Sequence, residues 1–248
     1  MRAAPDGGGP LAEVVLETHA LTMRFGGVVA TDNVDFTLRA RELRCLIGPN
    51  GAGKSTFFKC VTGLLTPTSG HVYMRGEEVT GWPPDRVAAL GVGIKMQVPS
   101  VLDALSVREN IWLAARRFAT VTGANHKAEE VIERLALGAI ASADLGQLAH
   151  GERQRVELGI VMAGDPWLVL LDEPAAGLSG EDVERMIGVI HEMTRSAAVV
   201  IVEHDMQFIR AIATRVTVFH QGAVLMEDDV DKVMSDPTVR NVYLGKSA

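Results

Sequence analysis

Leu43-Arg44-Cys45-Leu46-Ile47 runs directly into Gly48-Pro49-Asn50-Gly51-Ala52-Gly53-Lys54-Ser55, and a helix-period stretch over 54–62 opens at its end. The first five residues form a short apolar run of the kind that suits a strand buried on both faces. The next eight fit G-x-x-x-x-G-K-[ST], in which glycines let the backbone curl until successive N–H groups face a phosphate. Lys54 then reaches the β and γ positions, and the Ser55 hydroxyl is placed for Mg²⁺. A helix starting at Lys54 adds the positive end of its dipole to the same point. A glycine-rich turn by itself would need neither the strand before it nor the helix after it.

Outward from this loop, apolar or β-branched runs recur at 33–39, 167–171, 197–202 and 215–219, with helix-period stretches at 182–193 and 206–214. Strands alternating with helices predict an α/β fold with a mostly parallel sheet. From about 99 to 163 no convincing strand is found, and several segments are helical. Ser106 stands three residues before Glu109, a capping box that opens a helix over 106–117. Residues 129–136 place Val131, Ile132 and Leu135 on one face. An all-helical lobe inserted into an α/β core is expected. The run 167–171 ends in Asp172-Glu173, two carboxylates at a strand end. Alone they would mark a solvated terminus. Beside a phosphate loop the first is suited to positioning Mg²⁺ and the second to polarising an attacking water.

The chain has 248 residues, 47% hydrophobic and 22% charged, enough for one large domain or a core with a smaller lobe. A net charge of -7 lacks the basic excess of a nucleic-acid binder. Cys45 and Cys60 have no metal or redox spacing and are read as buried thiols in a reducing compartment. Residues 1–13 read as a flexible tail without the apolar stretch of a signal peptide. No apolar run approaches the roughly 18 residues that span a bilayer, so any membrane crossing falls to other chains.

The ordered set of the loop 48–55, Gln97, Leu148-Ala149-His150-Gly151-Glu152, Asp172-Glu173 and His204 resembles the ATP-binding subunit of an ABC transporter. The likeness covers the chain from about Val14 onward. It implies a P-loop NTPase (RecA-like) core at 14–97 and 164–248, an N-terminal antiparallel β region, and a helical subdomain at 98–163. It also implies ATP and Mg²⁺ as cofactors, with the loop residues through Thr56 on the nucleotide. Phe25 matches the aromatic residue that stacks on adenine, although a Phe in MRFGG serves equally well in a core. Gln97 matches the residue that contacts Mg²⁺ or water and links core to lobe. Glu173 resembles the catalytic base, and His204 the histidine that holds the γ-phosphate. Gly151 opens a helix whose N-terminus faces the γ-phosphate of the opposite subunit. The loop Ala176-Gly177-Leu178-Ser179 matches one that crosses the dimer interface. A dimer sandwiching two ATP molecules is therefore implied, either homomeric or paired with a second ATPase subunit. Transmembrane permease subunits, an indirect periplasmic solute-binding protein and a peripheral place on the cytoplasmic side of the membrane are implied as well.

The family's usual L-S-G-G-Q is here L-A-H-G-E. Ala149 lacks a hydroxyl expected to bond the γ-phosphate, a contact worth about 1.5–3 kcal/mol. Its loss would slow turnover about ten- to a hundred-fold. His150 either compensates as a donor near the phosphate or faces solvent beside the helix cap. Met96 stands where similar importers carry Phe, which changes packing near the lobe hinge. MRFGGVVATDNVDFTL and DEPAAGL resemble the branched-chain amino acid and urea importer branch. The segment Gln97-Val98-Pro99-Ser100-Val101, the stretch Ser106-Val107-Arg108-Glu109-Asn110, the His of LAHGE and the ending Asp236-Pro237 through Gly245 lean to its urea-type members. The competing classes are a soluble non-transport ABC ATPase and a weakly hydrolysing regulatory module. Against the first stand the missing coiled coils and tandem cassette; against the second, the intact Lys54, Asp172, Glu173 and His204.

Overall fold

The structure is a computed structural model that describes residues 13–96 and 101–244, with Tyr243 and Leu244 described by backbone alone. Its centre is a six-stranded sheet in the order β10-β9-β3-β8-β7-β6. The members are β3 (Leu43–Ile47), β6 (Val92–Lys95), β7 (Leu168–Asp172), β8 (Ala198–Val202), β9 (Arg215–His220) and β10 (Ala223–Asp229). All pairings are parallel except the β9–β10 hairpin at one edge. Every residue of β3, β7 and β8 is buried, as continuous apolar runs covered on both faces require.

Alternation along these strands feeds two cores. Cys45, Val169, Leu171, Val199 and Ile201 point into one, together with helices α3 (Val107–Arg116), α4 (Val121–Arg134), α5 (His150–Met162), α6 (Glu181–Thr194) and α7 (Met206–Ile212). Leu46, Leu168, Leu170, Val200 and Val202 point into the other, where α1 (Lys54–Val61) packs with Phe57 and Phe58 and α2 (Pro84–Ala89) with Val87. That second core is closed by a four-stranded antiparallel sheet, order β2-β1-β4-β5, from β1 (Val14–Phe25), β2 (Val28–Arg39), β4 (Ser69–Met74) and β5 (Glu77–Glu78). The α/β expectation with an N-terminal antiparallel region holds. Strand β2 begins five residues earlier than the apolar run 33–39, and α7 ends at Ile212 rather than 214. Two short helices, α8 (Val230–Ser235) and α9 (Pro237–Leu244), end the described chain.

Between 101 and 163 the described residues hold α3, α4, α5 and two short 3₁₀ turns, with one isolated bridge, Ser106 to Asp144. The capping box forms: Ser106 accepts from the Glu109 amide, and the Glu109 carboxylate accepts the Ser106 amide at 2.8 Å. Val131, Ile132 and Leu135 are buried, and Ala136 turns to φ 51° just past the end of α4. Asn110, itself buried, stitches the preceding loop. Its side chain bonds the Leu102 amide and the carbonyls of Leu102, Leu105 and Ser106.

Candidate active site

Parallel registration brings distant motifs to one sheet edge. Leu46 pairs with Val202, and Asp172 pairs with the same Val202 from the other side. The carboxyl ends of β3, β7 and β8 therefore finish level, where open α/β sheets place their ligands. The glycine-rich loop leaves β3, Asp172-Glu173 leave β7, and Glu203-His204 leave β8.

The loop is held from behind by the β2 hairpin and the β9–β10 turn. Gly222 donates to the Ala52 carbonyl at 3.0 Å, and Asp32 donates to Gly222 at 2.8 Å. Gly53 adopts φ 106°, and a Cβ there would stand 2.5 Å from the Ala30 carbonyl oxygen. Only glycine fits where the curl meets β2. Lys54 opens α1, and its ammonium donates to the carbonyls of Gly48 at 2.6 Å and Pro49 at 3.1 Å. Burial lowers its pKa, while Glu173 and Asp172 oppose the shift. Ser55 is exposed and Thr56 half-buried at the start of the same helix.

Asp172 is buried at the end of β7. Burial raises its pKa, and the charge of Glu173 adds to the rise, while Lys59 and Lys95 pull it down and Glu203 pushes it up. Glu173 takes the left-handed backbone, φ 47°, with its amide donating to Val202 at 2.9 Å. A non-glycine residue in that region stores strain, a feature that clusters at reacting groups. His204 Nδ1 lies 3.3 Å from Glu173 Oε1, with the imidazole 61% exposed. Glu203, fully buried, ties these loops together by accepting from the amides of Ala175, His204 and Asp205.

Phe25 sits at the hairpin tip opposite Val28 and is 47% exposed, so it is no core residue. Gln97 lies outside the described residues. Ala149 is the N-cap of α5 in extended backbone, and the Glu152 carboxylate accepts its amide at 3.2 Å. Gly151 is buried, and a Cβ there would stand 2.4 Å from the Asp182 carboxylate. His150 is exposed, and its Nε2 lies 3.0 Å from the Ala176 carbonyl oxygen, a contact with the loop 176–179 of its own chain that neither sequence alternative included.

Ala149 gives a direct test. Ala149→Ser places a hydroxyl at an N-cap, which should raise stability by about 1 kcal/mol. If that hydroxyl also bonds the terminal phosphate, turnover rises about ten-fold or more. A higher melting temperature with unchanged ATPase rate would assign it to the helix cap alone.

Several contributors escaped the sequence reading, among them Glu203, Lys95, Glu157 and Asp182. Glu203 had a signal, a lone charge ending the apolar run 197–202 beside His204. Cys45 and Cys60 are buried and unpaired, and burial pushes the Cys60 thiol up to about 11. Among the described residues no cluster of three or more His, Cys, Asp or Glu is set to hold a metal ion. A single buried carboxylate beside a hydroxyl and a phosphate loop is instead the donor set expected for Mg²⁺ shared with phosphates.

A curled amide loop with a lysine, an acidic pair and a histidine on one sheet edge define the class as a phosphate-loop nucleotide hydrolase. Residues 31–176 match the family described as ABC transporter. The high-affinity branched-chain amino acid transport ATP-binding protein LivG of Salmonella typhimurium is 32% identical, over 96% of this chain and all of the relative. BraF of Pseudomonas aeruginosa, with the same description, is 31% identical over the same shares. A crystallised ATP-binding cassette of an ABC transporter in its ADP conformation superposes with a TM-score of 0.84, at 24% identity, over 94% of this chain and 99% of that one. The chain belongs to the ABC transporter family and is an ATP-binding, ATP-hydrolysing subunit.

Proposed function

We propose that this subunit energises import of a small polar solute, a branched-chain amino acid before urea or a related amide, through a separate permease. The observation that carries the reading is the convergence of the phosphate loop, Asp172-Glu173 and His204 on one sheet edge, in a chain that aligns end to end with branched-chain amino acid transport subunits. The urea-type leaning rests only on the segments around 97–110, LAHGE and the chain's end.

In the cycle we infer, loop amides and Lys54 grip the β- and γ-phosphates. Asp172 and Ser55, with Gln97, would hold Mg²⁺, which neutralises charge on those phosphates. Glu173 takes a proton from water as its oxygen attacks the γ-phosphorus, and ADP leaves with the bridging electrons. His204, beside Glu173, donates to the γ-phosphate oxygen, and exposed Phe25 offers its ring to adenine. In a closed dimer, homomeric or mixed, the α5 N-terminus of one chain, with Ala149 to Glu152, covers the nucleotide of the other. Closure on ATP and opening after hydrolysis supply the two states that a permease reads.

No helix among the described residues is long and apolar enough to cross a membrane. The proposed importer role places the subunit peripherally against permease subunits, and half-exposed Leu113, Phe118 and Val121 at the α3–α4 turn offer an apolar face for them. The test is a pull-down of tagged protein from detergent-solubilised native membranes, read by mass spectrometry. Polytopic membrane subunits are expected, and a second ATPase chain would identify a heterodimer. Soluble partners alone would move the function to the non-transport ATPases.

A further inference from the structure

Most ion pairs among the described residues lie at the surface, but Lys95 and Glu157 do not. Their side chains are 4% and 5% exposed, with Nζ 3.3 Å from Oε2. Lys95 ends β6 in register with Leu171, one position before Asp172, and stands two residues before Gln97. Glu157 belongs to α5, two turns after His150, on the helix that opens with the LAHGE segment. Arg153, one turn earlier, lies 3.7 Å from Glu157 Oε1 and reaches Asp103 at 2.8 Å. The pair thus joins the sheet edge beside Asp172 to the helix that carries Gly151.

As a stabilising device the arrangement is poor. Among the described residues neither Glu157 oxygen nor Gln154 Oε1 has a hydrogen-bond partner. A cavity of about 70 Å³ lies alongside, lined by Ile94, Lys95, Met96, Val101 and Glu157. Buried pairs of this kind are often matched or exceeded in stability by apolar residues of similar volume. Stability alone therefore does not account for a charge pair here, in a loosely filled joint between core and lobe. The lysine's charge also reaches the reacting edge, where it is one of the influences that lower the Asp172 pKa.

We propose that Lys95 and Glu157 are a positioning pair that couples the placement of α5, and with it Gly151, to the β6 end from which the Gln97 segment departs. An ionic contact across a partly open joint keeps its attraction through small displacements. Tight apolar packing loses contact over a fraction of an ångström. The two elements can then shift together without the joint falling apart. Both side chains are buried, so each acts through the geometry of the groups that would meet the nucleotide.

The experiment uses the full-length protein and compares Lys95→Met, Lys95→Arg and the double variant Lys95→Met/Glu157→Leu. Melting temperature, kcat and KM for ATP are measured for each, with Glu173→Gln as the floor of hydrolysis. Lys95→Met leaves the buried carboxylate with only Arg153 at 3.7 Å and lowers the melting temperature, and the double variant restores it. Turnover stays about ten-fold low in both, with KM for ATP changed less than about two-fold, because misplacement affects the reacting geometry more than phosphate affinity. Lys95→Arg, which keeps the charge, retains most of the wild-type kcat. Recovery of kcat together with melting temperature in the double variant would reduce the pair to a structural contact. So would a Lys95→Arg rate as low as that of Lys95→Met, which remains readable if the double variant does not fold. The inference rests on hydrolysis at the Glu173 edge. A wild-type rate no higher than the Glu173→Gln floor would overturn that reading and the pair together, whereas the other failures overturn the pair alone.

Discussion

Glu173→Gln is expected to lower the ATPase rate about 10²- to 10⁴-fold while leaving ATP affinity within a few-fold of wild type. The carboxylate stands at the end of β7 in strained backbone, with His204 at 3.3 Å. The amide of Gln keeps the size and one acceptor oxygen but has no basicity with which to take a proton from water. The positive φ of the main chain is unchanged, so the strain and the loop geometry survive the substitution. Steady-state ATPase assays beside equilibrium binding of ATP separate the two quantities. A variant that hydrolyses ATP at the wild-type rate would remove Glu173 from the role of base and favour the weakly hydrolysing regulatory module.

Lys54→Met is expected to act on binding instead. Each hydrogen bond from the ammonium to a phosphate oxygen is worth about 1.5–3 kcal/mol, so ATP affinity falls about a hundred-fold or more. Stability should change little. The ammonium is nearly buried between two carbonyls, and burial already works against its charge. Methionine fills similar volume without that desolvation cost, and the loop carbonyls lose only one donor. Binding measured by calorimetry and melting measured without nucleotide should therefore diverge. A large loss of melting temperature would mean that Lys54 holds the loop together rather than serving the ligand.

These two residues were legible in the sequence because their meaning is local. Lys54 acquires it from the glycines one, three and six residues before it, and Glu173 from the apolar strand it follows. The parallel core was legible for a related reason, since β3, β7, β8 and β9 are apolar runs with few interruptions. Strand β1 was hidden by its bulges. Register shifts between Thr18 and Leu21, and a positive φ at Ala20, break the alternation that would mark it. Strand β6 is four residues long, too short for any period, and β10 ends in Glu227-Asp228-Asp229, an acidic edge that does not read as strand. The antiparallel region came from family resemblance rather than from pattern.

The site divides in the same way. Motif residues announce themselves by spacing, but the groups that place them are partnered across the fold. Glu203 gathers amides from two loops, His150 finds the Ala176 carbonyl, and Lys95 meets Glu157 across the joint between sheet and helix. None of these pairings has a sequence interval to detect. His150 shows the consequence: its exposed ring also meets the Ala176 carbonyl of its own chain, a partner that no spacing in the sequence announces.

The most direct test of the account is ATP-driven solute uptake by the complex that this subunit forms with its co-purified permease. The complex would be reconstituted in proteoliposomes with ATP on the side of this subunit and the solute-binding protein opposite. Accumulation of labelled leucine with the wild-type chain, and its loss with Glu173→Gln, is the predicted result. Rapid ATP hydrolysis without accumulation of leucine, urea or related amides, or equal accumulation with both chains, would contradict it.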